Sequence, residues 1–402
     1  MQNKSQPTTQ TQNQNTPKIR FKNFSDEWVD SKLGEICKIT MGQSPNGATY
    51  SEIPSDYILV QGNADLKNGF VYPRIYTTQK TKMAYIGDLI MSVRAPAGAM
   101  GKTLYNVVLG RGVAGIKGNE FIYQNLIKFD MEGYWSSFSA GSTFESLNSN
   151  VIFNAKISIP NSEEQEKIGA FFSKLDKLIS LHQSKFEKLQ KIKKSCLQNL
   201  FPQNNQNTPK IRFKNFSDEW VESRLGEFGN ILTGSTPPTN ISELYDNNGI
   251  PWVTPTDITS NLISKTCKRL SKKGELVSRI VPSKTILVTC IASIGKNAML
   301  LTRGSFNQQI NSLTVNDNND PYFMLTQSSL WSEQMKKQAA QATMQIVNKT
   351  EFSNIKAYIP NLKEQEKIGA FFSKLDKLIS LQQRKVEKLK NIKKALLNKM
   401  FI

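Results

Sequence analysis

With 402 residues the chain is long enough for two or three domains of ordinary size, each able to bury a core of its own. Lysine and arginine number 52 against 33 aspartates and glutamates, a formal charge of +19, so the expected partner is polyanionic, nucleic acid ahead of an acidic membrane surface. No apolar run approaches the roughly 18 residues of a membrane span, and one histidine in the whole chain excludes two-histidine metal centres, while its place at His182 on a helix-type apolar stripe argues against His/Cys zinc sites and a Ser-His-Asp triad.

Residues 1–16 are rich in Gln, Asn and Thr and are expected to be a disordered tail, too polar to be a secretory signal. Asn15 to Glu35 reads NTPKIRFKNFSDEWVDSKLGE, and Asn207 to Glu227 repeats it with changes only at Asp30 against Glu222 and Lys32 against Arg224. Between about 36 and 159 come short β-type runs, YILV (57–60) and DLIMSV (88–93), turns at Gly and Pro, and a helical stretch near 120–137. From Ser162 to Leu200 there is no proline, and apolar residues recur at three- and four-residue spacing from Ile168 to Leu200. That pattern predicts one long amphipathic helix. Phe201-Pro202 stops it, and a polar linker, 202–210, leads into the second copy. There the β-type runs are TILVTCI (285–291) and KAYI (356–359), with a helical stretch near 321–340, and Glu364 to Leu381 repeats Glu164 to Leu181 letter for letter.

The chain therefore reads as one unit duplicated head to tail. A mixed α and β domain covers 17–159 and a helix 160–201; a second domain covers 211–359 and a second helix 360–402. Two matching apolar stripes predict antiparallel, coiled-coil-like pairing of the helices about a pseudo-two-fold axis, with His182 and Gln382 as polar register pins. The interiors are diverged relatives. Gly42, Ser44 and Pro45 align with Gly234, Thr236 and Pro237; Leu89–Ser92 aligns with Ile286–Thr289, and GRGVAGI (110–116) with NQQINSL (307–313). Identical frames around dissimilar middles suggest two readers, each free to read something different.

Catalytic chemistry is hard to find. APAGAMGKT (95–103) ends like a phosphate-binding loop, but Pro96 stands where the first glycine of such a loop belongs. The second copy has ASIGKN (292–297), which retains Gly-Lys and loses the Thr. Both lysines, Lys102 and Lys296, read more simply as DNA phosphate contacts. The four cysteines are scattered and read as reduced thiols. What remains is binding. Arg94 and Arg111 have the fork that pairs with guanine, whereas Gln308, Gln309 and Asn311 have amides suited to adenine. Around them Gln43, Ser44, Ser142 and Thr143 in the first copy, and Ser235, Thr236 and Thr343 in the second, complete the candidate DNA contacts. On the helices Phe171, Phe172 and Lys174, with Phe371, Phe372 and Lys374, are candidates for holding protein partners.

The repeated EQEKIGAFFSKLDKLI helix follows Ile159-Pro160-Asn161 in one copy and Ile359-Pro360-Asn361 in the other. With the W-x4-LGE openings (Trp28 to Glu35, Trp220 to Glu227) and the GSTP turn at 234–237, the chain resembles the specificity subunit of type I restriction–modification systems. The first copy departs from this pattern with GQSP at 42–45, and the second has QAT at 341–343 where the first has GST at 141–143. The resemblance implies two target-recognition domains, each reading one half of a bipartite, asymmetric DNA site, and no catalytic activity in this chain. It implies docking of two methyltransferase subunits and of translocase–nuclease restriction subunits. S-adenosylmethionine, ATP and magnesium would then belong to those partners, in the bacterial cytoplasm. A helix of about 38 residues is roughly 57 Å long. As paired spacers, two such helices would hold the readers about 34 Å apart, with about 5–7 unread base pairs between half-sites. The alternatives are a stand-alone DNA-binding regulator and an NTPase using the APAGAMGKT loop.

Overall fold

The computed structural model describes residues 15–139, 146–203, 206–341 and 346–402. The expected tail at 1–16 falls almost wholly outside them. Two compact units make up the chain, one taking in the residues up to Ser184 together with Gln383–Ile402, the other Lys185–Gln382. The two long helices run Ser162–Leu200 and Leu362–Met400, so each is shared: it starts in its own copy and ends in the other. Among the described residues no helix is long and apolar enough to cross a membrane.

In unit 1 one sheet runs in the order Lys38–Met41, Val113–Lys117, Leu89–Ser92, Met100–Lys102, Phe70–Val71, Leu66–Lys67. A second sheet is built from Tyr50–Ser51, Ile75–Thr77, Tyr57–Val60, Val107–Leu109 and Met83–Ala84. Leu89–Ser92 is buried on both faces, as a central strand covered by a helix on one side requires. That helix, Glu120–Met131, starts at Asn119, whose side chain accepts from the Ile122 N–H at 3.0 Å. Its Phe121 lies at the centre of the core. The Phe401 ring stacks on it with 5.0 Å between centroids, and Trp28 and Phe172 close around the pair at 5.5–6.3 Å.

Unit 2 repeats the plan with other residues. Its first sheet is Gly229–Thr233, Ile310–Val315, Ile286–Thr289, Asn297–Leu300, Leu262–Ile263, the same order as in unit 1. Helix Pro321–Gln341 contributes Phe323, which stacks on Phe201 at 5.4 Å, with Trp220 and Phe372 beside them. Phe201 here does what Phe401 does in unit 1: the residue just beyond one long helix plugs the core of the other copy.

The verbatim repeats now have a physical reason. In each unit the opening arm touches both long helices. Arg20 forms a bidentate pair with Glu164, both contacts 2.7 Å, and Arg212 does the same with Glu364. Both carboxylates are fully buried, and each guanidinium pKa is raised, first by that hydrogen bond. The Ile19 N–H donates to the Lys399 carbonyl at 2.8 Å, and the Ile211 N–H to the Asn199 carbonyl at 2.9 Å. These satisfy carbonyls that a helix end leaves without partners. Lys393 pairs with Asp176 in unit 1 and Lys193 with Asp376 in unit 2, each at 2.6 Å. Within unit 1, Asp176 sits by Lys393 and Phe172 by Phe401, so the two helix segments run in opposite directions. Unit 2 shows the same order with Asp376, Lys193, Phe372 and Phe201.

Candidate nucleic-acid interface

At one end of the main sheet in each unit, three loop segments meet. In unit 1 the first is the turn after Lys38–Met41. Gly42 N–H donates to the Val113 carbonyl at 2.9 Å and Gln43 N–H to the Leu109 carbonyl at 2.8 Å. A Cβ on Gly42 would lie 2.0 Å from the Gly110 carbonyl oxygen, so only glycine permits this approach. The second segment is the reader loop Gly110-Arg111-Gly112, whose Arg111 N–H donates to Ser44 Oγ at 3.1 Å. The third begins at Val93, whose N–H donates to the Gly112 carbonyl at 2.9 Å. The next residue, Arg94, bridges antiparallel to Ser146. Gln43, Arg94 and Arg111 are exposed and Ser44 is half-buried. Two guanidinium groups and an amide thus share one sheet end, with no carboxylate ion-paired to either arginine among the described residues.

Unit 2 has the same backbone connections and different side chains. Gly234 N–H donates to the Ile310 carbonyl (3.0 Å), Ser235 N–H to Phe306 (2.9 Å) and Cys290 N–H to Gln309 (2.8 Å). Arg111 and Gln308 therefore occupy one framework position. The hydroxyl of Thr236, aligned with Ser44, donates to the Gln308 amide oxygen. Gln309 and Asn307 are joined at 3.0 Å. Gln308 and Lys296 are exposed, and Gln309 is half-buried. A further basic residue emerges here. Arg279 N–H donates to Ser235 Oγ at 3.0 Å and its guanidinium to the Thr233 carbonyl. Its counterpart is Lys82, since Met83 pairs with Val108 as Ile280 does with Ser305. Nothing in the local sequence marked this strap; only strand pairing brings it to the turn.

A family model for the type I restriction modification DNA specificity domain matches residues 25–193 and 217–391. The chain belongs to this family. Among its relatives is a putative specificity subunit, MjaX, of Methanocaldococcus jannaschii, 30% identical over 195 residues, which are 47% of this chain and 44% of that protein. The alignment thus spans less than half of that relative. The MjaVIII specificity subunit of the same organism is 21% identical across 93% of this chain and 92% of its own length. In fold, the chain matches the crystal structure of a type I restriction–modification S subunit from M. genitalium. The TM-score is 0.70 at 15% identity, covering 96% of this chain and 99% of that one.

Several candidate contacts of this specificity-family chain need correction. Asn311 is fully buried, donating to the Val347 carbonyl at 3.1 Å and accepting from Thr233 at 2.8 Å, so no base edge can reach it. Lys102 is not a free phosphate ligand. It lies on a strand, pairs with Glu120 at 2.8 Å and sits 4.4 Å from the Tyr123 ring centroid. Glu120 in turn holds Gln124, which donates to Asp176, so Lys102 braces the domain against its helix. The two Gly-Lys pairs are not equivalent either. Gly98 and Gly295 make the same turn, their N–H groups donating to Ser92 and Thr289. By strand pairing Lys102 aligns with Met299. Ser142, Thr143 and Thr343 lie outside the described residues.

On the helices, Phe172 and Phe372 are fully buried in the cores just described, and Phe171 and Phe371 pack on Phe21 and Phe213 of the arms. They cannot form an outward docking face. Lys174 and Lys374 are exposed. The exposed large apolar residues on the repeated segment are Leu178 and Leu181, with Leu378 and Leu381; of these, the three- and four-residue spacing places Leu178 and Leu378 on the apolar stripe, so the stripe is not packed along its whole length.

Proposed function

We propose that this chain is the DNA-reading subunit of a type I restriction–modification complex and has no catalytic chemistry of its own. Each unit would read one half of a bipartite duplex site, and adenine methylation or cleavage would be carried out by partners bringing S-adenosylmethionine, ATP and magnesium. The observation that supports this most is the superposed pair Arg111 and Gln308. One backbone frame presents a guanine-type side chain in one unit and an adenine-type side chain in the other.

Two copies of the exposed patch, Lys174-Leu178-Leu181 and Lys374-Leu378-Leu381, fit recruitment of two identical methyltransferase subunits. Exposed leucines rimmed by charge are a common form of protein contact. Methylome sequencing of cells carrying this chain with its methyltransferase tests the reading. A split adenine-methylation motif that disappears when the chain is deleted is expected. Methylation that persists unchanged without the chain would overturn it.

A further inference from the structure

Along the sheet edge leading away from the first reader turn lies a concavity of about 290 Å³ lined by Lys38, Lys80, Lys82 and Lys117, with Thr40, Thr81, Tyr85 and Asp88. All four lysines are exposed. None is ion-paired among the described residues. Asp88 is the only acid in the lining, and its carboxylate accepts the Tyr85 N–H at 2.8 Å. Lys117 lies 5.5 Å from the Tyr85 ring centroid.

The arrangement works against stability. Lys38 and Lys117 face each other directly across an antiparallel strand pair, where like charges are destabilising. Unit 2 shows that the fold does not need them: the same pair there is Asn230 and Thr314. Val277 and Arg279 stand in place of Lys80 and Lys82 by the same strand alignment. The concavity is continuous with the reader edge, since Thr81 donates to the Gln43 carbonyl at 2.7 Å. From Gly42 back to Lys38 the strand covers about 13 Å at roughly 3.3 Å per residue, close to four base steps of about 3.4 Å.

We propose that this trench holds the sugar–phosphate backbone of duplex DNA immediately outside the half-site read by unit 1. The inference rests on the DNA-reading function above and adds a positioning contact that unit 2 lacks. The trench fixes register and carries no sequence information.

Phosphate-ethylation interference on the full chain bound to its motif duplex locates the contact. Interference at phosphates flanking the first half-site should be lost in a Lys38→Gln/Lys117→Gln variant, with other phosphates unaffected. The slope of log affinity against log salt should fall by about 0.9 per lysine, equally on motif and scrambled duplexes. Lys→Arg at both positions should restore it. The Gln variant should melt no lower than the parent, because repulsion is relieved; a lower melting point would indicate a structural role and overturn the proposal. A parent chain without duplex affinity, both alone and together with its methyltransferase, overturns both this inference and the DNA-reading function. A parent that binds, with flanking interference unchanged in the variant, overturns the trench alone.

Discussion

The two reader edges share a backbone and almost nothing else, whereas the two arm-and-helix frames share sequence nearly letter for letter. The reason lies in what each must touch. The arm residues Arg20 and Ile19 contact one long helix at its start and the other at its end. A change at any of these positions must be matched elsewhere in the same unit. Arg111 and Gln308 are exposed, and among the described residues each is hydrogen-bonded to the hydroxyl turn beside it, so they vary without affecting the core. Recognition can diverge where packing does not depend on it.

If the frames are interchangeable, a chain ended after Gln203 should not stay monomeric. Its Phe201 has no second unit to enter, and its Trp28–Phe121–Phe172 pocket has lost Phe401. Two copies can satisfy each other, so light scattering should show a symmetric dimer. A folded monomer would mean that the cross-seated phenylalanine is dispensable. Next in size, Phe401→Ala and Phe201→Ala should each cost about 3–5 kcal/mol. Hydrogen exchange should place the first loss in the strands of unit 1 and the second in those of unit 2; the same unit loosening in both variants would break the correspondence.

Arg111→Ala should weaken duplex binding by about 1–3 kcal/mol and relax one base position in one half-site, with Gln308→Ala doing so in the other half. Competition binding with single-base variants of the motif would reveal any crossover. Leu178→Asp with Leu378→Asp should impair co-purification of the methyltransferase while leaving duplex preference intact. The smallest effect concerns thiols. Burial raises Cys37 in unit 1 and Cys290 in unit 2 to about 11. Since the thiolate is the reactive form, both should resist maleimide at pH 8 and react only as pH approaches 11 or as their unit opens. Exposed Cys267 should label first; rapid labelling of Cys290 in the folded chain would contradict its burial.

Much of the frame was legible in the sequence. An unbroken run of helix formers at three- and four-residue spacing located both long helices, and the repeat showed that the chain carries two copies of one plan. The seating of Phe201 and Phe401 was not legible, because a contact between residues hundreds of positions apart leaves no local period. Exposure was the other gap. Asn311 and Lys102 have the right chemistry for DNA, but strand pairing buries one and Glu120 occupies the other. Arg279 was missed because it is brought to the turn by the pairing of the neighbouring Ile280 with Ser305.

Two independent readers on one frame are tested most directly by exchanging residues 36–159 for those of a family member with a known motif and sequencing the resulting methylome. One half of the bipartite motif should change to the donor's while the other half stays as it was. A motif altered in both halves, or in neither, would contradict the division of labour between the two units.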